Sequence, residues 1–297
     1  MHMRVLIFGG SGMLGHKLVQ TLSPDFDVWS TVRGKVSEYA HFGIFVPAKT
    51  IPDVHVEDPA AIRRAVEKAR PDIVINSAGV IKQLSTASDV IQTLTINSIF
   101  PHRLAQLSEE FGFRLFCIST DCVFDGARGN YTEDDAPNAY DLYGKSKNLG
   151  EVVTGNCVTL RTSIIGRELG SAHSLVEWFL SNRGKTVNGY SNAIYSGFPT
   201  IVLAGIIRDL INDHPNLRGL YHVSSEPINK YDLLLLIKQK FGLNITVQRD
   251  DEFRIDRSLD STKFRNETGF SPETWEKMIE LMAADPTPYD KWRQVNN

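Results

Sequence analysis

Hydrophobic and polar positions along the first half of the chain follow two alternating spacings. Short runs rich in β-branched and aromatic residues predict five strands, at Val5–Phe8, Asp27–Val32, Asp72–Asn76, Phe113–Ile118 and Val158–Arg161. Between them, apolar residues recur every three to four positions and predict helices at 13–22, 58–70, 88–111 and 143–153. Strands that alternate with helices indicate a doubly wound α/β fold, with a parallel sheet covered by helices on both faces.

The regular alternation fades beyond residue 162. Helices are predicted at 173–182, 201–213, 229–241 and 271–283, with a strand at 244–248. We interpret this part as a smaller, mainly C-terminal α/β lobe that binds substrate. The expected division gives residues 1–162 and parts of about 186–224 to the nucleotide-binding domain, and about 163–185 and 225–297 to the lobe.

Composition narrows the class of protein. The 297 residues are 42% hydrophobic and 23% charged, with a net charge of −3, so neither nucleic acid nor an anionic membrane is an expected partner. The longest aliphatic run, Leu233 to Ile237, is too short to span a membrane, and the apolar run near the N-terminus is too short for a signal peptide. Three cysteines without metal-ligand spacing favour a reducing cytoplasm, and no metal is expected.

A glycine-rich loop follows the first strand directly. Glycines at this point permit a tight turn and let backbone N–H groups approach a pyrophosphate at the start of the next helix. The alternative is an ordinary glycine-rich turn between a strand and a helix. Its position favours a Rossmann-type dinucleotide site, with the cofactor against Gly9, Ser11, Gly12, Met13, Leu14 and Gly15.

The end of the second strand bears on the choice of cofactor. NAD enzymes usually carry an acid there, which binds the ribose 2′-hydroxyl. Here the strand runs Ser30-Thr31-Val32-Arg33 without an acid, and Arg33 could bind a 2′-phosphate. NADPH is therefore predicted, with NADH possible; the alternative is that Arg33 is an ordinary exposed arginine.

Three side chains suggest acid–base chemistry. Tyr143 and Lys147 stand four residues apart near the start of a predicted helix, so they share one face. A tyrosine is a poor acid–base group at neutral pH unless a nearby cation favours its phenolate, and Lys147 could supply that charge. Thr120, at the end of a neighbouring strand, could bind the oxygen that Tyr143 protonates. The alternative is a solvated Tyr/Lys face.

Together these features resemble the extended short-chain dehydrogenases/reductases. The resemblance rests on the glycine loop, Asn76-Ser-Ala-Gly79, Asn97, Ser119-Thr-Asp121 and Tyr143-x-x-x-Lys147. The stretches "STDCVFDG", "YTEDDAP" and "DLYGKSKNLGE" are similar to the dTDP-4-dehydrorhamnose reductase branch.

The resemblance implies hydride transfer from a nicotinamide to the C4 ketone of a nucleotide-linked 4-keto-6-deoxyhexose. Tyr143 would give the proton, Thr120 would polarise the ketone, and Lys147 would tune Tyr143 and hold the nicotinamide ribose. Asn97 would continue a proton relay to water. Ala78 and Gly79 would lie along the cofactor, Asn97 and Tyr143 would also contact it, and Val56 would border the adenine. Members of the family often dimerise, so a homodimer is one possible assembly.

The substrate side is predicted from weaker signals. Lys82 could reach sugar or phosphate, Asp121 would shape the pocket, and Trp178 and Tyr190 would cover the nucleotide; for Trp178 the alternative is a core position. Cys122 stands where rhamnose-forming reductases usually carry Tyr, while a cysteine in the fucose-synthetase branch acts in epimerisation. We favour a small packed residue for Cys122 over an epimerase thiol, with His173 the nearest second acid–base group.

Four functions remain open on this basis. The default is a reductase of dTDP-4-dehydrorhamnose that feeds surface-polysaccharide synthesis. A UDP-linked, N-acetylated 4-keto sugar is the rival substrate, and a combined epimerase–reductase is the rival reaction. A non-catalytic NADP-binding regulatory subunit is the alternative from another class, although an intact Thr120, Tyr143 and Lys147 set argues against it.

Overall fold

The fold is taken from a computed structural model, which describes residues 2–81 and 88–295. It contains twelve strands: β1 (Arg4–Phe8), β2 (Asp27–Thr31), β3 (Thr50–Ile51), β4 (Ile73–Asn76), β5 (Arg114–Thr120), β6 (Cys157–Thr162), β7 (Ile164–Ile165), β8 (Thr186–Tyr195), β9 (Phe198–Pro199), β10 (Gly219–His222), β11 (Ile228–Asn229) and β12 (Thr246–Asp256). All five strands predicted in the first half of the chain are confirmed.

The helices follow the predicted order. They are α1 (Gly15–Leu22), α2 (Val36–Tyr39), α3 (Pro59–Ala69), α4 (Val90–Leu94), α5 (Phe100–Phe111), α6 (Leu142–Leu149), α7 (Leu175–Leu180), α8 (Thr200–Asp213), α9 (Lys230–Lys240), α10 (Thr262–Thr268), α11 (Trp275–Ala283) and α12 (Tyr289–Val295). The helix predicted over 88–111 forms in three parts, because a π-helical segment, Thr95–Ile99, joins α4 to α5.

Seven parallel strands form the central sheet, in the order β10-β6-β5-β4-β1-β2-β3. The strands are apolar almost throughout because both faces of the sheet are covered. Along β1, Val5 and Ile7 face one buried cluster with α1 and α8, whereas Leu6 and Phe8 face a second cluster with α3 and α5. This is the predicted doubly wound Rossmann-type fold.

The order of strands determines where loops meet. Because β1 lies between β4 and β2, and β5 lies beside β4, the segments that leave the carboxyl ends of these strands are neighbours. Ligands of open parallel sheets bind along this edge. The glycine loop after β1, residues 77–80 after β4 and Thr120–Cys122 at the end of β5 therefore gather at one edge.

A second, three-stranded sheet has β8 at its centre, antiparallel to β11 and parallel to β12. The strand predicted at 244–248 is much longer, since β12 runs to Asp256 past an irregularity between Asp250 and Arg254. Strand β8 gave no sequence signal, because Asn, Gly and Ser interrupt its apolar positions. The division of the chain into two domains stays a prediction.

Within residues 2–81 and 88–295, no helix is both long and apolar enough to cross a membrane. The same residues contain no group of three or more His, Cys, Asp or Glu side chains that could hold a metal ion.

Candidate active site

The loop between β1 and α1 has room for backbone but not for side chains. Gly9 has a φ of +80°, and a Cβ there would lie 2.9 Å from the amide nitrogen of Ala78. A Cβ on Gly15 would overlap the carbonyl oxygen of Gly9. Backbone hydrogen bonds help to hold the loop, among them Gly10 N to Thr31 O at 3.0 Å and Gly12 N to Gly9 O at 2.9 Å.

The glycine positions fit a dinucleotide pyrophosphate. The loop leads directly into α1, and the positive end of the helix dipole favours an anion at this point. The close approach of Gly9 to Ala78 leaves a cradle that any Cβ would fill. Gly9, Ser11, Gly12, Met13, Leu14 and Gly15 are therefore the residues that would hold the pyrophosphate.

Asn97 connects the segment after β4 with helix α6. Its side-chain carbonyl accepts from Val80 N at 2.9 Å, and its amide donates to Val80 O and to Ser146 Oγ, each at 3.1 Å. The side chain is buried. It belongs to the π segment between α4 and α5, where the wider turn aims it at both neighbours.

The end of β5 brings a hydroxyl, a carboxyl and a thiol together. Thr120 Oγ1 donates to Asp121 Oδ1 at 3.1 Å and accepts from Cys122 N at 3.1 Å. Burial raises the pKa of Asp121, although Arg257 partly opposes this shift. Hence the polar stretch that ends the strand is a hydrogen-bonded turn in which Thr120 is fixed.

Tyr143 lies beside Thr120. Their side chains are hydrogen-bonded, and Asp141 begins α6 by accepting from Gly144 N at 2.9 Å. Burial raises the pKa of Tyr143 well above its ordinary value, and Cys122 adds to the shift. Tyr143 is therefore protonated at neutral pH, as a proton donor must be.

Lys147 stands one turn further along α6. Its ammonium donates to Ile118 O at 2.7 Å, and burial lowers its pKa. The prediction that Lys147 tunes Tyr143 and holds a ribose stays a prediction. The hydrogen bond to Ile118 O ties Lys147 to β5, the strand that also carries Thr120.

A buried ion pair lies beneath these residues. Arg161 on β6 makes two bonds of 2.7 Å to the carboxylate of Glu151, just beyond α6. Ser119 Oγ donates to the same carboxylate at 2.6 Å. The pair joins the end of α6 to β5 and β6, so the helix that carries Tyr143 and Lys147 is held against the strand that carries Thr120.

Three residues beside the site were not found from the sequence. Arg257 donates to Phe124 O at 2.8 Å, and its Nη1 lies 3.9 Å from Cys122 Sγ. Lys230 is close enough to Asp121 and Cys122 for their charges to raise its pKa, although burial lowers it overall. Tyr195 is buried with its hydroxyl near Asp121. Arg257 opens Arg257-Ser-Leu-Asp260, a stretch that shares the family resemblance, but the sequence gives none of the three a place beside Cys122. The fold supplies that placement.

Cys122 is half-buried rather than packed away. Arg257 and Lys230 give it the electropositive surroundings that favour a reactive thiol. His173, the nearest acid–base candidate in sequence, is exposed in the loop before α7 and donates through its backbone to Glu168 Oε2 at 3.3 Å.

The remaining predicted residues are spread more widely. Arg33 is exposed just beyond β2, and Val56 packs in the same apolar cluster as Ala78. A Cβ on Gly79 would lie 3.3 Å from Asn97 Oδ1.

The residues predicted to cover the nucleotide lie in the second part of the chain. Trp178 is 40% exposed on α7, so the alternative that it is a core residue is wrong. Tyr190 on β8 packs against Phe253, with ring centroids 5.0 Å apart. Lys82 lies outside the described residues.

The chain matches a family model described as "RmlD substrate binding domain" over residues 3–287. Among curated proteins, it is similar to the spore coat polysaccharide biosynthesis protein SpsK of Bacillus subtilis, with 27% identity covering 93% of this chain and 95% of SpsK. It is also similar to the dTDP-4-dehydrorhamnose reductase of Aggregatibacter actinomycetemcomitans, with 25% identity covering 95% of this chain and 98% of that enzyme.

Two further comparisons give a relative with a different name and a solved structure. Methionine adenosyltransferase 2 subunit beta of Mus musculus is 27% identical, over 81% of this chain and 72% of that protein. The crystal structure of dTDP-4-dehydrorhamnose reductase from Bacillus anthracis in complex with NADP superposes with a TM-score of 0.79. It is 22% identical and covers 95% of this chain and 99% of that one, so it supports the fold.

Proposed function

The chain belongs to the RmlD substrate binding domain family, and on that premise we propose that it reduces the C4 ketone of a nucleotide-linked 4-keto-6-deoxyhexose. Its activity class is that of an NAD(P)H-dependent oxidoreductase of sugar nucleotides. dTDP-4-dehydrorhamnose is the first substrate to test, because a curated relative carries that reductase name. The observation that carries the proposal is the hydrogen-bonded pair of Thr120 and a protonated Tyr143 at the carboxyl edge of the sheet.

The reaction requires a hydride donor and a proton donor on a positioned ketone. A reduced nicotinamide supplies the hydride when bound. Tyr143 supplies the proton to the ketone oxygen, since a phenol is protonated at neutral pH. Thr120 is fixed by Asp121 and Cys122, so its oxygen is held where it can orient the substrate oxygen.

The cofactor is NADPH, with NADH possible. A relative of the same fold carries NADP in its crystal structure. Arg33 is exposed at the end of β2 and free to meet a 2′-phosphate, and Lys35 follows it closely. The carboxylate of Glu38 lies close to Lys35, since Glu38 Oε1 accepts from Lys35 N at 3.3 Å. This acid, absent from the strand itself, is the group that could bind a ribose 2′-hydroxyl instead.

The test is NADPH oxidation with dTDP-4-dehydrorhamnose and, separately, with a UDP-linked 4-keto-6-deoxy-HexNAc. Tyr143→Phe should lower kcat by roughly 10²–10⁴-fold, because it removes the general acid. The dissociation constant for NADPH, measured by fluorescence, should rise no more than about tenfold, because at most one hydrogen bond to the cofactor is lost while the proton is used in the chemical step. Tyr140→Phe, an exposed tyrosine before the same helix, is the matched control.

Oxidation with one sugar, lost in Tyr143→Phe, would support the reductase and identify its nucleotide. Tight NADPH binding without oxidation of either sugar would contradict it. That result would favour a non-catalytic subunit of another enzyme. The similarity to methionine adenosyltransferase 2 subunit beta is the reason to consider this function.

A second candidate, a combined epimerase–reductase, is favoured by one observation. Cys122 Sγ lies 3.9 Å from Arg257 Nη1 and close to Lys230, so a thiol and an amine face the same pocket. Epimerisation beside a ketone removes a C–H proton and returns a proton to the opposite face. Incubation with substrate in deuterated water, without NADPH, should then place deuterium at C3 or C5, and Cys122→Ala should abolish the exchange. If the native protein shows no exchange, the epimerase proposal is contradicted and only the reductase proposal stands.

A further inference from the structure

The last described segment of the chain packs across the helix that follows the glycine loop. We call residues 285–293 the C-terminal clasp. The match to the family model ends at residue 287, so Tyr289, Asp290, Trp292 and Arg293 lie beyond it. Tyr289 and Trp292 are nevertheless buried.

Charged and aromatic contacts hold the clasp in place. Lys17 Nζ on α1 lies 2.5 Å from Asp285 Oδ2, and both side chains are buried. Arg167 lies 2.5 Å from Asp290 Oδ1, and its guanidinium stands 4.9 Å above the ring of Tyr289. The clasp is therefore fixed at both of its ends, and Tyr289 is placed between them.

His16 connects Tyr289 with the glycine loop. Its Nδ1 lies 2.8 Å from Gly12 O, and its Nε2 lies 2.7 Å from the hydroxyl of Tyr289. A carbonyl oxygen only accepts, so Nδ1 must carry the proton, and Nε2 must then accept from Tyr289. Burial lowers the pKa of His16 to about 4, which keeps the ring neutral at physiological pH.

The carbonyl of Gly12 is held twice, by the ring of His16 and by His16 N at 3.1 Å. In a planar trans peptide, the C=O of one residue and the N–H of the next point in opposite directions. With Gly12 O turned toward the helix, Met13 N–H is turned away from it, to the side on which a phosphate approaches the loop.

We propose that Tyr289 is a positioning residue for the cofactor pyrophosphate, acting through His16 on the Gly12–Met13 peptide. The inference rests on the proposed function in one respect, namely that the loop binds a dinucleotide. Tyr289 itself does not touch the cofactor in this scheme. Its hydroxyl fixes the imidazole, and the imidazole fixes the peptide whose N–H the pyrophosphate uses.

The test compares two ligands on the full-length chain. NADPH uses the pyrophosphate cradle, whereas adenosine 2′-phosphate occupies only the adenosine end of the site. Tyr289→Phe should weaken NADPH binding by roughly three- to tenfold, the effect of one hydrogen bond, and leave the affinity for adenosine 2′-phosphate unchanged. His16→Phe should do the same, and the double variant should be no weaker than His16→Phe alone, because both changes break one chain of contacts.

Arg293→Met is the matched control, since it weakens the clasp through Glu177, away from the Tyr289 hydroxyl and from His16. It should lower Tm without changing NADPH affinity. A Tyr289→Phe variant that loses Tm only, or that weakens both ligands equally, would overturn the inference. So would additive effects in the double variant.

The premise that the loop binds a dinucleotide would fail in a different way, because the native protein would then bind neither ligand. The geometry has a test of its own that needs no cofactor. The ¹⁵N shifts of the His16 ring should report a neutral imidazole protonated at Nδ1, and a proton on Nε2 would contradict the assignment.

Discussion

The two sides of the candidate active site are built from different parts of the chain. On the proposed cofactor side, seven consecutive residues, Gly9–Gly15, make the cradle, and they make it largely from backbone atoms. On the proposed substrate side, Cys122, Tyr195, Lys230 and Arg257 come from segments spread over 135 positions of sequence. One side is local and made of main chain, and the other is dispersed and made of side chains.

This difference explains which parts of a site a sequence can reveal. A backbone cradle needs glycine at set intervals, so its spacing survives in the sequence as a pattern. A pocket of remote side chains has no internal spacing, because its residues become neighbours only when the sheet forms. Three experiments test whether the two sides of the site differ in this way.

The largest effect is expected at the cradle. Gly15→Ala places a Cβ against the carbonyl oxygen of Gly9, where it would overlap backbone and not a movable side chain. The loop must shift, and the loss of two backbone hydrogen bonds to the pyrophosphate, at about 1.4 kcal/mol each, would lower NADPH affinity by roughly 10²-fold. Isothermal titration with NADPH measures this loss.

Gly205→Ala supplies the matched control for that experiment. Gly205 lies in α8, and a Cβ there would meet nothing within 4 Å. Because alanine is the better helix former, this variant should gain stability, by about 0.5–1 kcal/mol, with NADPH affinity unchanged. An intact affinity in Gly15→Ala would contradict a cradle made of backbone.

An intermediate effect is expected on the substrate side. Lys230→Met removes a cation beside Asp121 and Cys122 but leaves the glycine loop untouched. If Lys230 binds a polar group of the sugar nucleotide, kcat/KM for the sugar should fall about tenfold, with NADPH affinity unchanged. Lys238→Met, at the other end of the same helix, should change neither. A loss of NADPH affinity in Lys230→Met would mean that the two sides are not separate.

The smallest effect is a pH dependence of stability. Burial raises the pKa of Asp121 above its ordinary value of 3.8, so the folded protein keeps a proton that the unfolded chain loses. Stability due to this group therefore falls as pH rises above 3.8. Asp121→Asn should raise Tm at pH 7, and the gain should disappear as pH falls below 3.8. Thermal unfolding across this pH range measures it.

Asp135 should show a pH dependence of stability opposite to that of Asp121. The guanidinium of Arg128 holds its pKa down at about 2, so its contribution is present above pH 3.8 and is lost as pH falls toward 2. Asp135→Asn should therefore lower Tm slightly at pH 7 and have no effect near pH 2. Equal pH profiles for the two variants would mean that Asp121 is not a buried acid.

Much of the fold and part of the site could be predicted. The apolar strands β1, β4 and β5 could be located from sequence, because burial on both faces makes them apolar throughout. Tyr143 and Lys147 could be paired because helical spacing places them on one face. Strand β8 could not be located, since its polar and glycine positions depend on β12, which lies 60 residues further along the chain.

Cys122 illustrates the same limit within the site. The sequence favoured a small packed residue, because free cysteines are often buried and a reactive thiol needs electropositive, accessible surroundings. The fold places Arg257 and Lys230 beside it, and neither could be assigned to it before the two sheets were known. The chemical environment of a side chain is set by tertiary neighbours, which local patterns do not record.

The π segment Thr95–Ile99 makes this corner of the molecule depend on the number of residues as well as on their identity. A π turn holds more residues than an α turn. The extra residue is taken up inside the segment, and the wider turn directs Asn97 at Val80 and Ser146. Deleting one residue of the five would let the turn close to an ordinary α turn. Phe100 and Leu104 would then keep their places in the core, whereas Asn97 would turn away from its partners. A single deletion here should therefore disrupt the site while the helix on either side still packs.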